Sequence, residues 1–577
     1  MCGIFGSIEK SGVNLINNRS SLETLRHRGP DHQGEFVDEM VYMGHRRLSI
    51  LDLSENGKQP MVSNEVIITV NGEVYNFQKL ERELNGKYEF KSTSDSEVIL
   101  HGYSEWGIDG LIERIDGMYS IVIYDKKKNC IYLVRDRYGI KPLYYSFQDT
   151  SFAWASELKA IIKYYDQNTL SIENTAIYDY LTYLYVPTPK TLYKNVFKLE
   201  PAHYLEFDLN KFNITVKKYW DLSCKEIIID IDSAAAKVKE LINESVKAQM
   251  ISDVPLGFFL SGGIDSSIIV ATASNFSKQL HTYSIGFDVA SHNETQYSRQ
   301  IAELFNTKHS EKILNIESAN QLFEKIKNWY DEPFADTSSI PSFLVSAFAK
   351  QNSTVVLTGD GGDELFGGYD WYERYSEYVK KRIPFLKSFK YLFSQIKQRN
   401  RYSFLGRLAN QMEYRVLDGH DLYAKLLGGL LPHEKLRYRK TFNIPTDYDD
   451  YWYFKKFYRP DLNLRKRFQY LDFHTYLHDD IFTKVDRVSM SVALECRIPF
   501  MNKELVEFAF SLSEDIIYFN NQKKGLLKYA YQSTIPKNIL YRPKRGFNIP
   551  LSTWNKEFLK NSSTQQERLL DLFHIYV

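Results

Sequence analysis

Between Met1 and about Pro201 the apolar positions fall in short runs, such as Val66 to Val70, Tyr119 to Tyr124 and Ile131 to Val134, cut by Asn, Gly and Asp. Short apolar runs bounded by turn residues predict strands, so this part reads as a strand-rich domain. From about Ile227 the spacing changes. Apolar residues at helical intervals over Ala234 to Ala248 give way to the run Pro255 to Leu260, then to helical spacing again at Ile268 to Ala273. Helices alternating with short buried strands predict an α/β domain built on a parallel sheet. The stretch Leu205 to Cys224, carrying Asp208, Asn210, Asn213 and Asp221, reads as the connection, which places the domains at 2–210 and 225–577.

Composition narrows the class. The chain has 577 residues, 43% hydrophobic and 25% charged, an ordinary globular mixture that excludes disordered, collagenous and disulfide-scaffold classes. Its 73 Lys/Arg nearly cancel 72 Asp/Glu, so the total charge gives no reason to expect nucleic acid or an anionic membrane as partner. The four cysteines, Cys2, Cys130, Cys224 and Cys496, form no CxxC pair, which argues against zinc and disulfides and fits a reducing cytosol. No signal-peptide pattern and no long apolar run is present, so a cytoplasmic protein is expected. One segment departs from neutrality: Trp371 to Lys440 holds 16 Lys/Arg against 6 Asp/Glu. With many Tyr interleaved it allows a nucleic-acid reading, but the neutral total favours a partly solvated helical face whose charge is balanced elsewhere in the fold.

Chemistry begins at Cys2. A residue this small permits removal of the initiator Met, leaving a thiol and a free α-amine on one residue, nucleophile beside base. Downstream come Arg26-His27-Arg28-Gly29-Pro30-Asp31, His45-Arg46-Arg47-Leu48-Ser49-Ile50, Asn71-Gly72-Glu73-Val74-Tyr75-Asn76 and Ser94-Asp95-Ser96-Glu97. An amino-acid amide needs a guanidinium for its carboxylate and carboxylates for its ammonium. Acyl transfer also needs oxyanion donors, which Asn71 and the unobstructed amide of Gly72 can supply. With Cys2, these segments resemble the class II glutamine amidotransferases, an N-terminal-nucleophile family. The resemblance implies Cys2 as nucleophile and base, Arg47 on the glutamine carboxylate, Asn71 and Gly72 as oxyanion hole, and Glu73 and Asp95 on the substrate amine. Arg135 to Tyr145 and Ser156 to Ile161 also match that family and read as structural.

A second constellation follows the strand-like run Val254 to Leu260: Ser261-Gly262-Gly263-Ile264-Asp265-Ser266-Ser267, leading into helical spacing. Strand, glycine loop and helix N-terminus together make a phosphate cradle. The lysine of a Walker A loop is missing, which disfavours γ-phosphoryl transfer. Another buried run, Val355 to Leu357, leads into Thr358-Gly359-Asp360-Gly361-Gly362-Asp363-Glu364. Carboxylates beside a phosphate loop call for a hard cation, and Asp265 and Asp363 suit Mg²⁺. SGGIDSS resembles the PP-loop of the ATP pyrophosphatases, which cleave ATP between the α and β phosphates. That likeness implies ATP contacts from Ser261, Gly262, Gly263, Asp265, Ser266, Thr358 and Gly359, with Ile285 at the base. It further implies Asp360 near the acceptor and Lys524 on the departing pyrophosphate, with Lys523 the alternative.

Taken together, and with Leu477-His478-Asp479-Asp480, Lys484-Val485-Asp486-Arg487, Glu495 to Phe500 and Arg542 to Phe547 also in register, the chain resembles the glutamine-hydrolysing asparagine synthetase family. The implied fold is an α+β N-terminal-nucleophile αββα sandwich followed by an α/β doubly wound domain. The implied reaction joins ammonia from glutamine to AMP-activated aspartate, with ATP as substrate and Mg²⁺ as cofactor. Ammonia is expected to cross between the sites in a closed channel. The same motifs allow another acceptor carboxylate, such as a sugar uronate, and a third reading is a glutaminase with an inactive second domain. Small-molecule substrates, no nucleic acid, no membrane and a homodimer complete the expectations.

Overall fold

The computed structural model describes residues 1–289, 293–314, 326–399, 403–417 and 419–543. The expected segment Lys544 to Phe547 therefore lies outside the described residues.

Two antiparallel sheets form the first half. One runs Val196–Lys198, Tyr144–Gln148, Ser151–Ala155, Gly3–Glu9, Val41–Arg47, His32–Val37 from edge to edge. The other runs Asn213–Lys218, His203–Asp208, Cys130–Arg135, Gly117–Asp125, Val66–Val74, Met61–Ser63. Strand alternation sorts the side chains. Ile4 and Ile8 join Val41, Ile67, Val122, Leu133 and Trp154 in a core between the sheets, whereas Phe5 faces helices Leu15–Glu23 and Leu158–Tyr165 on the outer side. Helices Phe77–Leu84 and Glu97–Arg114 cover the other sheet through Leu80, Val98 and Leu111. The four layers are the expected αββα sandwich.

The stretch Leu205 to Cys224 is not the simple connection its polar residues suggest. Most of it is a hairpin, His203–Asp208 paired with Asn213–Lys218, so the sheet continues past residue 210. Asp208 accepts hydrogen bonds from the backbone of Asn210 and Lys211, so the polar cluster is the hairpin turn.

The second half holds a five-stranded parallel sheet in the order Lys308–Leu314, His281–Phe287, Leu256–Phe259, Val355–Leu357, Glu495–Arg497. Its central strands are apolar and covered on both faces, as parallel sheets require. The first two connections build outward from Leu256–Phe259 and the next returns to its other side, so the strand order reverses between Leu256–Phe259 and Val355–Leu357. Ligands of doubly wound sheets bind at that switch point, beyond the strands' carboxyl ends. No helix among the described residues is long and apolar enough to cross a membrane.

Candidate active sites

At the start of the first sheet, Cys2 donates its backbone N–H to Asn71 Oδ1 at 3.0 Å, and its carbonyl accepts from Arg28 Nε at 3.0 Å. Asn71 and Glu73 are two residues apart on Val66–Val74 and so share a face. Ser156 Oγ receives Asn71 Nδ2 at 3.4 Å and Ile4 N at 3.0 Å, which orients the amide. A Cβ on Gly72 would stand 2.0 Å from Met118 O, so only glycine fits there. Burial pushes the Cys2 thiol up, while the chain's ammonium, the Leu48 N–H and Arg47 oppose that rise.

Carboxylates gather beside the nucleophile. Asp95 accepts Val74 N at 2.6 Å, Glu73 lies 3.1 Å from Arg497, and Glu495 pairs with Arg497 at 2.6 Å. Three buried acids thus face one guanidinium and one ammonium. Burial pushes Asp95 up to about 6 and Glu73 well above its usual range. Although burial opposes it, the ammonium and Arg497 hold Glu495 down at about 2. The ammonium belongs to Met1, which is buried with its nitrogen 2.9 Å from Glu495 Oε2. Met1 therefore occupies ground that an amino-acid ammonium would take, and the amine beside the thiol is here Met1's rather than that of Cys2. Arg47 is buried, and its terminal nitrogens donate to the carbonyls of Leu51, Asp52 and Ser54, bracing that loop.

At the switch point lies a cavity of about 1050 Å³. Ser261, Gly263, Asp265, Ser266, Ile285, Thr358, Gly359, Asp360, Asp363 and Lys524 all line it. Gly262 is turned away: at φ 69°, its Cβ position lies 2.6 Å from Ser298 N, so it serves the turn. The two loops interlock, since a Cβ on Gly359 would meet Ser266 N at 2.8 Å. Ser266 Oγ stands 3.1 Å from Ser261 Oγ and accepts Ser261 N, which fixes the cradle ahead of helix Ile264–Ala273.

Asp265 and Asp363 converge on one ammonium, that of Lys524, which they hold above its ordinary value despite burial. Lys523 also lines the cavity but is 30% exposed and pairs with Asp370, whereas Lys524 is buried against Asp265 and Asp363. Two hard carboxylates closing on a single cation beside a phosphate cradle fit Mg²⁺, with the remaining ligands from water and phosphate. Asp360 accepts Thr358 Oγ1 at 2.7 Å, and burial raises its carboxyl.

Several residues without an assigned role prove to shape both sites. Lys484 lines the cavity and pairs with Asp336 at 2.7 Å, holding that acid at about 2 against the effect of burial. Arg28 joins Cys2 to the second half, donating to Asp486 Oδ2 and Glu157 Oε1, each at 2.8 Å. The three residues Glu495–Arg497 touch both sites: Glu495 binds the terminal ammonium, Cys496 lines the cavity, and Arg497 pairs with Glu73 while its carbonyl accepts Thr358 N. Their signal was the recurrence of charge in RHRGPD, SELKAI and ECRIPF. By contrast, Arg135 and Asp136 are spent on loop carbonyls and amides, as structural residues would be.

Comparison with known proteins adds to this geometry. The asparagine synthase family matches residues 237–571, and the glutamine amidotransferase domain family matches residues 1–220. Glutamine-hydrolyzing asparagine synthetase 1 of Bacillus subtilis (strain 168) is 33% identical, over 96% of this chain and 88% of its own length. A putative asparagine synthetase of Methanocaldococcus jannaschii is 39% identical over 64% of this chain and 76% of its own length. Asparagine synthetase 3 of Bacillus subtilis is 29% identical over 99% and 91%.

Proposed function

The chain belongs to the asparagine synthase family, joined to a glutamine amidotransferase domain, and on that premise we propose that the acid it amidates is aspartate. Membership brings ATP-dependent amidation with glutamine as nitrogen donor. The strand Glu495–Arg497, one element in contact with both sites, supports joining the two chemistries, and the charges of both signs on the cavity wall carry the finer reading.

Removal of Met1 frees the α-amine of Cys2 and clears the acidic ground beside it. The amine accepts the thiol proton, and the thiolate attacks the glutamine amide carbonyl. Asn71 Nδ2 and the Gly72 N–H then receive the oxyanion, while Asp95 and Glu73 hold the substrate ammonium. Ammonia leaves, and water releases glutamate from the thioester. In the cavity, the Ser261–Ser266 loop and the helix N-terminus hold the phosphates. The acid's carboxylate oxygen attacks the α-phosphorus, pyrophosphate departs against Lys524, and ammonia displaces AMP from the acyl carbon. Mg²⁺ on Asp265 and Asp363 would neutralise phosphate charge. Aspartate carries charges of both signs, and the cavity wall offers both, in Lys484 and Arg374 and in Asp336 and Asp360. The reading places the reaction in the cytoplasm.

A screen of carboxylic acids for AMP and pyrophosphate, with ammonium as nitrogen source, tests this reading. Products with aspartate are expected. Products only with a uronate or another acid, or ammonia from glutamine with no AMP under any acid, would overturn it.

A further inference from the structure

Large exposed apolar side chains concentrate in one place. Of the 21 among the described residues, seven lie between Phe385 and Leu408. They sit on a two-turn 3-10 helix, Pro384–Phe389, and on two helices packed on each other, Lys390–Arg399 and Phe404–Val416. The exposed faces of these helices carry large apolar residues. Phe404–Val416 buries Gly406, Ala409, Glu413 and Val416, and its first two turns expose Phe404 at 78%, Leu405 at 59% and Leu408 at 45%. Likewise Ser394 is buried in Lys390–Arg399, whereas Tyr391 and Leu392 are about half exposed. A helix of a globular protein normally turns its large apolar residues inward, so this face is built to meet something else.

Charge identifies the occupant. Residues 378–412 hold nine Lys/Arg and no Asp/Glu, a cluster hidden by the near-neutral total. Lys390 and Lys397 are neutralised by Asp421 and Glu413. Lys381 pairs with Glu377, and Lys380, five residues before Phe385, and Arg407, beside Leu408, are exposed. A second copy would bring like charges together. An anionic phospholipid surface takes both features at once, with cations at the headgroups and Phe and Leu rings and branches at the acyl boundary. We infer that the lobe around Phe385, Phe404 and Leu408 docks this enzyme on the surface of an anionic membrane, without spanning it.

Vesicle flotation tests the inference. The full chain should float with phosphatidylcholine vesicles containing about 30% phosphatidylglycerol, should not float with phosphatidylcholine alone, and should be released by raised salt. Lys380→Glu with Arg407→Glu should weaken binding about 25-fold or more, at roughly fivefold per basic residue removed. Phe385→Ser with Phe404→Ser and Leu408→Ser should abolish it. None of these residues lines the cavity, so amidation of free substrates should be unchanged in both variants, which also verifies folding. No flotation with phosphatidylglycerol, equal flotation of the serine variant, or a dimer of the unaltered chain that the serine variant loses would overturn the proposal.

Discussion

Asp95 lies in a cluster where burial has moved its carboxyl up to about 6, and its proposed task, holding an ammonium, needs the ionised form. A raised carboxyl is neutral below that value, so attraction for the substrate ammonium is present above about pH 6 and lost as the pH falls. The KM for glutamine should therefore rise by up to about tenfold per pH unit below 6, while the KM for ammonium does not follow it. Asp95→Asn should raise the KM at pH 8 and flatten the profile; a KM for the unaltered chain that is level down to pH 5 would contradict the assignment. The adjacent lysines give a second test. Lys524→Gln should cut pyrophosphate formation by about a hundredfold or more, with glutamine or ammonium alike. Lys523→Gln removes a partly exposed pair with Asp370 on the cavity wall, so it should change the rate less than about fivefold. Sequence could not choose between these neighbours. A backbone turn, with Lys524 at φ 54°, sends one side chain inward to Asp265 and Asp363 and the other to Asp370, which is why Lys524 is the one proposed for pyrophosphate. Cys2, Asn71 with Gly72, and the loop Ser261 to Ser267 were readable as candidates because each lies in a local string whose residue types have few other uses together. Arg28 and Ser156 were not, since their partners lie far along the chain: Asp486 for the one and Asn71 for the other.

Among elements, the strand Glu495–Arg497 is the least like its sequence. It reads Glu-Cys-Arg, yet all three residues are buried, because the charges are matched by Met1 and Glu73 from the other half of the chain. Local pattern cannot reveal a match of that kind. The parallel strands Leu256–Phe259 and Val355–Leu357 were legible as apolar runs for the opposite reason, being covered on both faces by their own domain. The hairpin His203–Asp208/Asn213–Lys218 was misread as a connection because Asp and Asn serve a tight turn and a linker equally. The alternation of buried Leu205 and Phe207 with the less buried Glu206 was the discriminating signal. Arg497→Met should leave Glu73 and Glu495 buried and short of a counter-charge, at a cost of about 3–5 kcal/mol. A lower thermal midpoint, with glutaminase and synthetase activities falling together, is the expected result; an unchanged midpoint would mean the strand does not join the halves.

In the whole molecule the two chemistries should separate cleanly. Cys2→Ala should abolish glutamine-dependent synthesis and leave ammonium-dependent synthesis within about twofold, whereas Asp265→Asn should remove both. Intact mass should show a chain that begins at Cys2, since Met1 sits on the acidic ground proposed for the substrate ammonium. Retained glutamine use in the Cys2 variant would place the nucleophile elsewhere. Fold class was legible at this scale from the change of period near Ile227, but the contact between halves was not, because it is made by residues hundreds of positions apart.

The most direct test of the central claim, that an acid is activated on AMP before ammonia reaches it, follows an oxygen atom. Aspartate labelled with ¹⁸O in its side-chain carboxylate is supplied with ATP and ammonium, and the AMP is weighed by mass spectrometry. Attack of that carboxylate on the α-phosphorus predicts AMP that carries one labelled oxygen. Unlabelled AMP, or ADP as the spent nucleotide, would contradict it.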